Sequence, residues 1–134
     1  MTQEDKELLL KDICTRLPYG IRAFYYGVED EIESVTLDGY VNIGKYSLPV
    51  ERIKPYLFPL SSMTNKQLFE VQEIFGKNEI EIRDGFLSII DSDRNTITYL
   101  EILALLEWFY KNHFDINNLI PMKLAIDATG LNIY

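Results

Sequence analysis

The sequence predicts a single α+β domain over residues 1–134. Three features carry that reading: a capped helix at the N-terminus, short β-branched and aromatic runs between residues 20 and 47, and an almost wholly apolar helical stretch at 96–113. The expected architecture is an N-terminal helix, a small antiparallel sheet of short strands, and a helical C-terminal half organised around a buried helix 96–113. A hydrophobic content of 47% supplies the core, and 134 residues leave no length for a second domain.

Thr2 is the expected N-cap of the first helix, with Glu4, Asp5 and Glu7 where the helix dipole favours acids. Leu10, Cys14 and Leu17 fall at i, i+4, i+7, with Leu9 and Ile13 beside them, which makes Cys14 a small buried hydrophobe. Pro18 stops the helix. About three strands follow: Ile21–Tyr26, the alternating Glu31–Leu37, and Val41–Ile43 after an Asp38–Gly39 turn. Pro49, Pro55 and Pro59 then predict a stiff connector across the core, closed to helix and central strand alike.

Thr64 and Gln67 fit a capping box, and Leu68, Val71 and Phe75 form the apolar stripe of a second helix before Gly76. Residues 79–90 read as a hairpin around Asp84–Gly85, with a helical extension as the alternative. In the 96–113 stretch the polar residues Thr98, Glu101, Glu107 and Lys111 share one narrow stripe, so the helix is expected to be buried around most of its girth. A last short helix is expected within 117–127, with Leu131 and Ile133 docking the terminus.

Acids outnumber bases by 21 to 13, a net charge of −8, which makes free nucleic acid a poor partner. Residues 1–67 hold 10 acids and 8 bases, and residues 68–134 hold 11 and 5, so the acidity lies mainly in the second half. The single cysteine excludes an internal disulfide. No secretory leader or membrane span is expected, and a reducing cytoplasm is the expected location.

Asp91, Asp93 and Asn95 alternate like the opening of a calcium loop. Thr96 stands where the EF-hand loop needs glycine and Ile102 where it needs a bidentate glutamate, so an Asp/Asn turn capping the next helix is preferred. Glu79, Glu81, Asp84, Asp91 and Asp93 offer carboxylates for acid–base or metal chemistry, but a hairpin would set Glu79 and Glu81 on a solvated face. His113, the only histidine, has no triad or zinc spacing and reads as a packing or capping residue. The seven glycines form no phosphate loop, and no cofactor is implied. Tyr25–Tyr26 could stack bases, but Glu29–Asp30–Glu31 crowd them.

Three segments carry a family resemblance: residues 8–20 (Leu8 to Gly20), Lys54-Pro55-Tyr56-Leu57-Phe58-Pro59-Leu60-Ser61-Ser62-Met63-Thr64, and the tail from Asn112-His113-Phe114-Asp115 through Leu119-Ile120 to Ala125-Ile126-Asp127-Ala128-Thr129. Together they cover roughly half the chain. They resemble a family of uncharacterised proteins of Bacteroides phages, prophages and mobile elements. Trp108-Phe109-Tyr110 and Asn117-Asn118 depart from the family's usual Trp-Leu-Asn and Arg-Gly. The resemblance implies a phage or mobile-element origin and an intracellular setting, and brings no functional residue with it.

The function expected is a non-catalytic accessory protein, an inhibitor of host defence being one special case. It would bind a host or phage protein through an exposed surface of Tyr56, Phe58, Glu79, Glu81 and Asp84. A small carboxylate- or metal-dependent hydrolase and a virion-associated structural protein are the alternatives.

Overall fold

In the computed structural model the first helix begins where its cap dictates. Thr2 Oγ1 accepts the Asp5 amide at 3.1 Å, and the Asp5 carboxylate accepts the Thr2 amide at 3.2 Å. This capping box satisfies two of the orphan donors of α1, Gln3–Arg16. Residues 1–74 and 100–134 are described with their side chains, and residues 79–83, 86–90 and 99 as backbone.

Four strands follow in a meander: β1 Arg22–Tyr25, β2 Val28–Val35, β3 Tyr40–Ile43 and β4 Tyr46–Pro49. The expected third strand is thus followed by a fourth, formed because Gly44, at φ 56, lets the chain reverse in a tight turn. β5, Lys54–Leu57, pairs antiparallel with β1 and parallel with β8, Ile126–Asp127, giving the sheet order β4-β3-β2-β1-β5-β8. The expected connector is therefore partly a central strand. Pro55 is tolerated because β8 pairs only with Tyr56 and Leu57, past the position that lacks an N–H.

One face of the sheet is apolar. Ile21, Ala23, Ile32, Val41, Ile43 and Leu57 pack with Leu9 and Ile13 of α1 and with Leu119, Leu124 and Ala125 from the tail. The second helix, α2 (Asn65–Ile74), has the expected capping box: Thr64 and Gln67 exchange bonds of 2.9 and 3.2 Å. β6 (Glu79–Arg83) and β7 (Phe86–Ile90) pair antiparallel, as the hairpin reading requires; Asp84–Gly85 lie outside the described residues. The third helix, α3 (Tyr99–Lys111), joins a second core of Leu60, Val71, Leu105, Phe109 and Phe114.

Three expectations change. α1 turns Leu9, Asp12, Ile13 and Arg16 inward and leaves Cys14 exposed. The helix is rotated because Asp12 and Arg16 are paired and bonded inside. Arg16 Nε donates to Asp12 Oδ1 at 2.6 Å, and Arg16 Nη2 donates to the Phe114 carbonyl at 2.7 Å. Asn117 Nδ2 donates to Asp12 Oδ2 at 2.8 Å. The tail forms turns in place of a short helix. The Asp115 carboxylate accepts the Leu119 and Ile120 amides, both at 2.8 Å, and so outcompetes helical bonding there. Tyr134 docks the terminus, while Leu131 is exposed.

Asp12→Ala should lower stability by about 3–5 kcal/mol in urea unfolding, because it leaves the Arg16 charge buried without its carboxylate. The double change Asp12→Leu/Arg16→Met should cost much less. An Asp12→Ala loss under about 1 kcal/mol would show that the pair is energetically idle.

Candidate functional site

Of the residues expected to form the docking surface, Tyr56 and Phe58 are described with their side chains. The Tyr56 side chain is buried, and its carbonyl accepts the Tyr134 hydroxyl at 2.8 Å. Phe58 is half-buried against Phe114 and Tyr134, and forms one wall of a depression of about 230 Å³. β5 is drawn into the sheet from both sides, which turns these aromatics inward. Glu79 and Glu81 lie on β6, opposite Ile90 and Ser88. Asp84, Asp91, Asp93 and Asn95 lie outside the described residues. Among the described residues no three His, Cys, Asp or Glu converge as a metal would require.

The larger departure is α3. The sequence predicts burial around its girth, yet among its described residues only Leu105 and Phe109 are fully buried. Leu100 is 75% exposed, and Ile102, Leu103 and Leu106 are between 37% and 42% exposed. The second core covers one side of the helix and α1 approaches another. Trp108 packs on the second core and Tyr110 under Arg16, while Leu100, Ile102, Leu103 and Leu106 meet solvent.

Between α1 and α3 lies a groove of about 380 Å³, lined by Thr15, Tyr19, Leu103, Leu106, Glu107 and Tyr110. Its α3 wall follows from helical spacing: Leu103, Leu106 and Tyr110 stand at i, i+3, i+7 on one face. The end of α1 and the Leu17–Tyr19 3-10 turn supply Thr15 and Tyr19 opposite. Thr15 is turned back, its hydroxyl bonded to the Lys11 carbonyl at 2.9 Å. The Tyr110 ring is held by the Arg16 guanidinium, 4.7 Å from its centroid, and by Asn117 Nδ2, which donates to its hydroxyl at 3.3 Å. The lining contains one carboxylate, Glu107, which accepts the Tyr19 hydroxyl at 3.4 Å. Burial, and then Glu107, push the Tyr19 phenol above its ordinary value. The groove is thus an apolar slot with a fixed back wall and one negative rim group. Its composition suits apolar side chains accompanied by a cation.

Sequence reading missed Thr15 and Tyr19, which bear no motif. The surplus of apolar residues in 96–113 was the available signal. With one helix face covered, that surplus makes an exposed surface.

His113 ends α3 at φ 63 and lies flat against Tyr134, the ring centroids 3.6 Å apart. Its Nδ1 is buried with no hydrogen-bond partner among the described residues. Burial, and then the Arg16 charge, push its pKa down to about 4. It is therefore a neutral packing residue at pH 7, and a protonated cap is excluded. The Tyr134 hydroxyl accepts the Arg22 amide at 3.0 Å, and burial of that end raises it to about 12.

Comparison with family models, curated proteins and solved structures gave no match for this chain. No helix among the described residues is long and apolar enough to cross a membrane.

The folded His113 takes up its proton only at about 4, below its ordinary 6.5. The unfolded chain therefore binds more protons between those values, and stability falls as pH drops from about 6.5 toward 4. The melting temperature should decline over that range. His113→Asn, a residue that accepts positive φ, should flatten the decline whatever it does to the baseline. An unchanged slope would assign the dependence to another group.

Proposed function

We propose that this chain is a non-catalytic accessory protein of phage or mobile-element origin that acts by binding another protein. The α1–α3 groove and the apolar α3 face beside it would receive an amphipathic helix of the partner. The exposure of Leu100, Ile102, Leu103 and Leu106 around the groove carries this reading. A contiguous apolar surface rimmed by polar groups is the mark of a protein-binding site. The row of Leu103, Leu106 and Tyr110 supplies ridge-and-groove spacing for a helix laid against α3. Glu107 on the rim, in a chain of net charge −8, favours a helix with a lysine or arginine beside its apolar stripe. The family resemblance of the N-terminal, proline-rich and tail segments supports the origin.

A labelled leucine–lysine amphipathic peptide should bind the native chain in fluorescence anisotropy, and a leucine–glutamate peptide of the same pattern should bind more weakly. Leu106→Asp should weaken the leucine–lysine peptide at least tenfold, although it adds a negative charge. Equal or tighter binding by Leu106→Asp would reduce the interaction to general charge attraction and overturn the assignment.

A further inference from the structure

The tips of two neighbouring hairpins carry a second surface, independent of the groove. β1 and β2 are joined by a two-residue turn, Tyr26–Gly27, with φ of 46 and 79. Both values lie in the left-handed region, where Asn-Gly is the favoured pair. A tyrosine at the first position is strained by its own Cβ. Its ring gains no burial in return and stays 59% exposed.

That ring meets Tyr46, from the adjacent hairpin, edge to face at 5.4 Å, and Tyr46 is itself 51% exposed. Tyr25 supports both rings from below, at 6.2 and 6.0 Å. Its hydroxyl occupies the space a Cβ on Gly44 would need, and the Asp30 carboxylate lies 3.4 Å from the same point. Packing against that glycine fixes the support ring. Burial raises the Tyr25 phenol above its ordinary value, and Asp30, Tyr46 and Glu33 contribute in the same direction. The Asp30 carboxylate beside Gly44 puts a negative charge at the tip. Lys45, exposed in the Gly44–Lys45 turn, is the nearby base in sequence.

Exposed tyrosine faces in a negative field recognise cations. A guanidinium fits better than an ammonium, because it is planar and can stack on a ring while bonding carboxylates. A base stacked there would bring its phosphate toward the Asp30 carboxylate beside Gly44. We propose that the Tyr26–Tyr46 tip binds an arginine side chain in an exposed segment of a partner protein.

The test titrates the full chain at about 0.15 M salt, where long-range attraction is screened. The probes are a capped peptide alternating glycine and arginine, its citrulline counterpart, and oligothymidylate. The arginine peptide should shift the Tyr26 and Tyr46 ring resonances, and the other two should not. Tyr26→Asn suits the turn, so its melting temperature should hold or rise while its affinity for the arginine peptide falls about fivefold. Tyr46→Ser should weaken binding similarly. Equal shifts with citrulline, shifts with oligothymidylate alone, no shift with arginine, or full affinity in Tyr26→Asn would each overturn the proposal.

Discussion

The structure turns on an ion pair shut away from the surface. Asp12 and Arg16 are fully buried one helical turn apart on α1, and a charge in that position persists only if every neighbour serves it. The pair reaches 98 residues along the chain to the Phe114 carbonyl, and also binds Asn117. The guanidinium lies over the Tyr110 ring of α3. One pair thus joins the sheet's core, the second core and the tail. The Nη1 nitrogen finds no hydrogen-bond acceptor among the described residues, and the ring face beneath the guanidinium supplies a weaker attraction.

The groove follows from this anchor. Arg16 draws Tyr110 toward α1, and the turn after it presents Tyr19 to the same space. α3 commits Leu105 and Phe109 to the second core, while Leu100 and Leu103 stay exposed. A helix with more apolar surface than its neighbours cover is a different object from a central helix, although the two look alike in sequence.

That difference marks how far the sequence could be read. Features settled within a few residues were legible. The Thr2 N-cap and the Thr64–Gln67 capping box each close over three positions. The Asp38–Gly39 turn and the β6–β7 pairing belong to the same class. Features settled by distant partners were not. The central place of β5 depends on β8, some seventy residues later, so its prolines suggested a connector. Asp12 and Arg16 resemble surface residues until Phe114 and Asn117 arrive, and the predicted face of α1 was displaced onto Cys14. Tyr56 is buried for the same reason: its strand is interior, and the Tyr134 hydroxyl closes over its carbonyl.

The sheet's dependence on the tail also sets an order of assembly. β1 to β4 pair with near neighbours and can form while the chain is being made. Their apolar face is completed only by Leu119, Leu124 and Ala125, and β5 gains its second neighbour only at Ile126. On the ribosome, the meander must therefore wait with part of its face open until residues 119–126 have emerged. The acidic strand β2, with Glu29, Asp30, Glu31 and Glu33, keeps like-charged nascent chains apart during that wait.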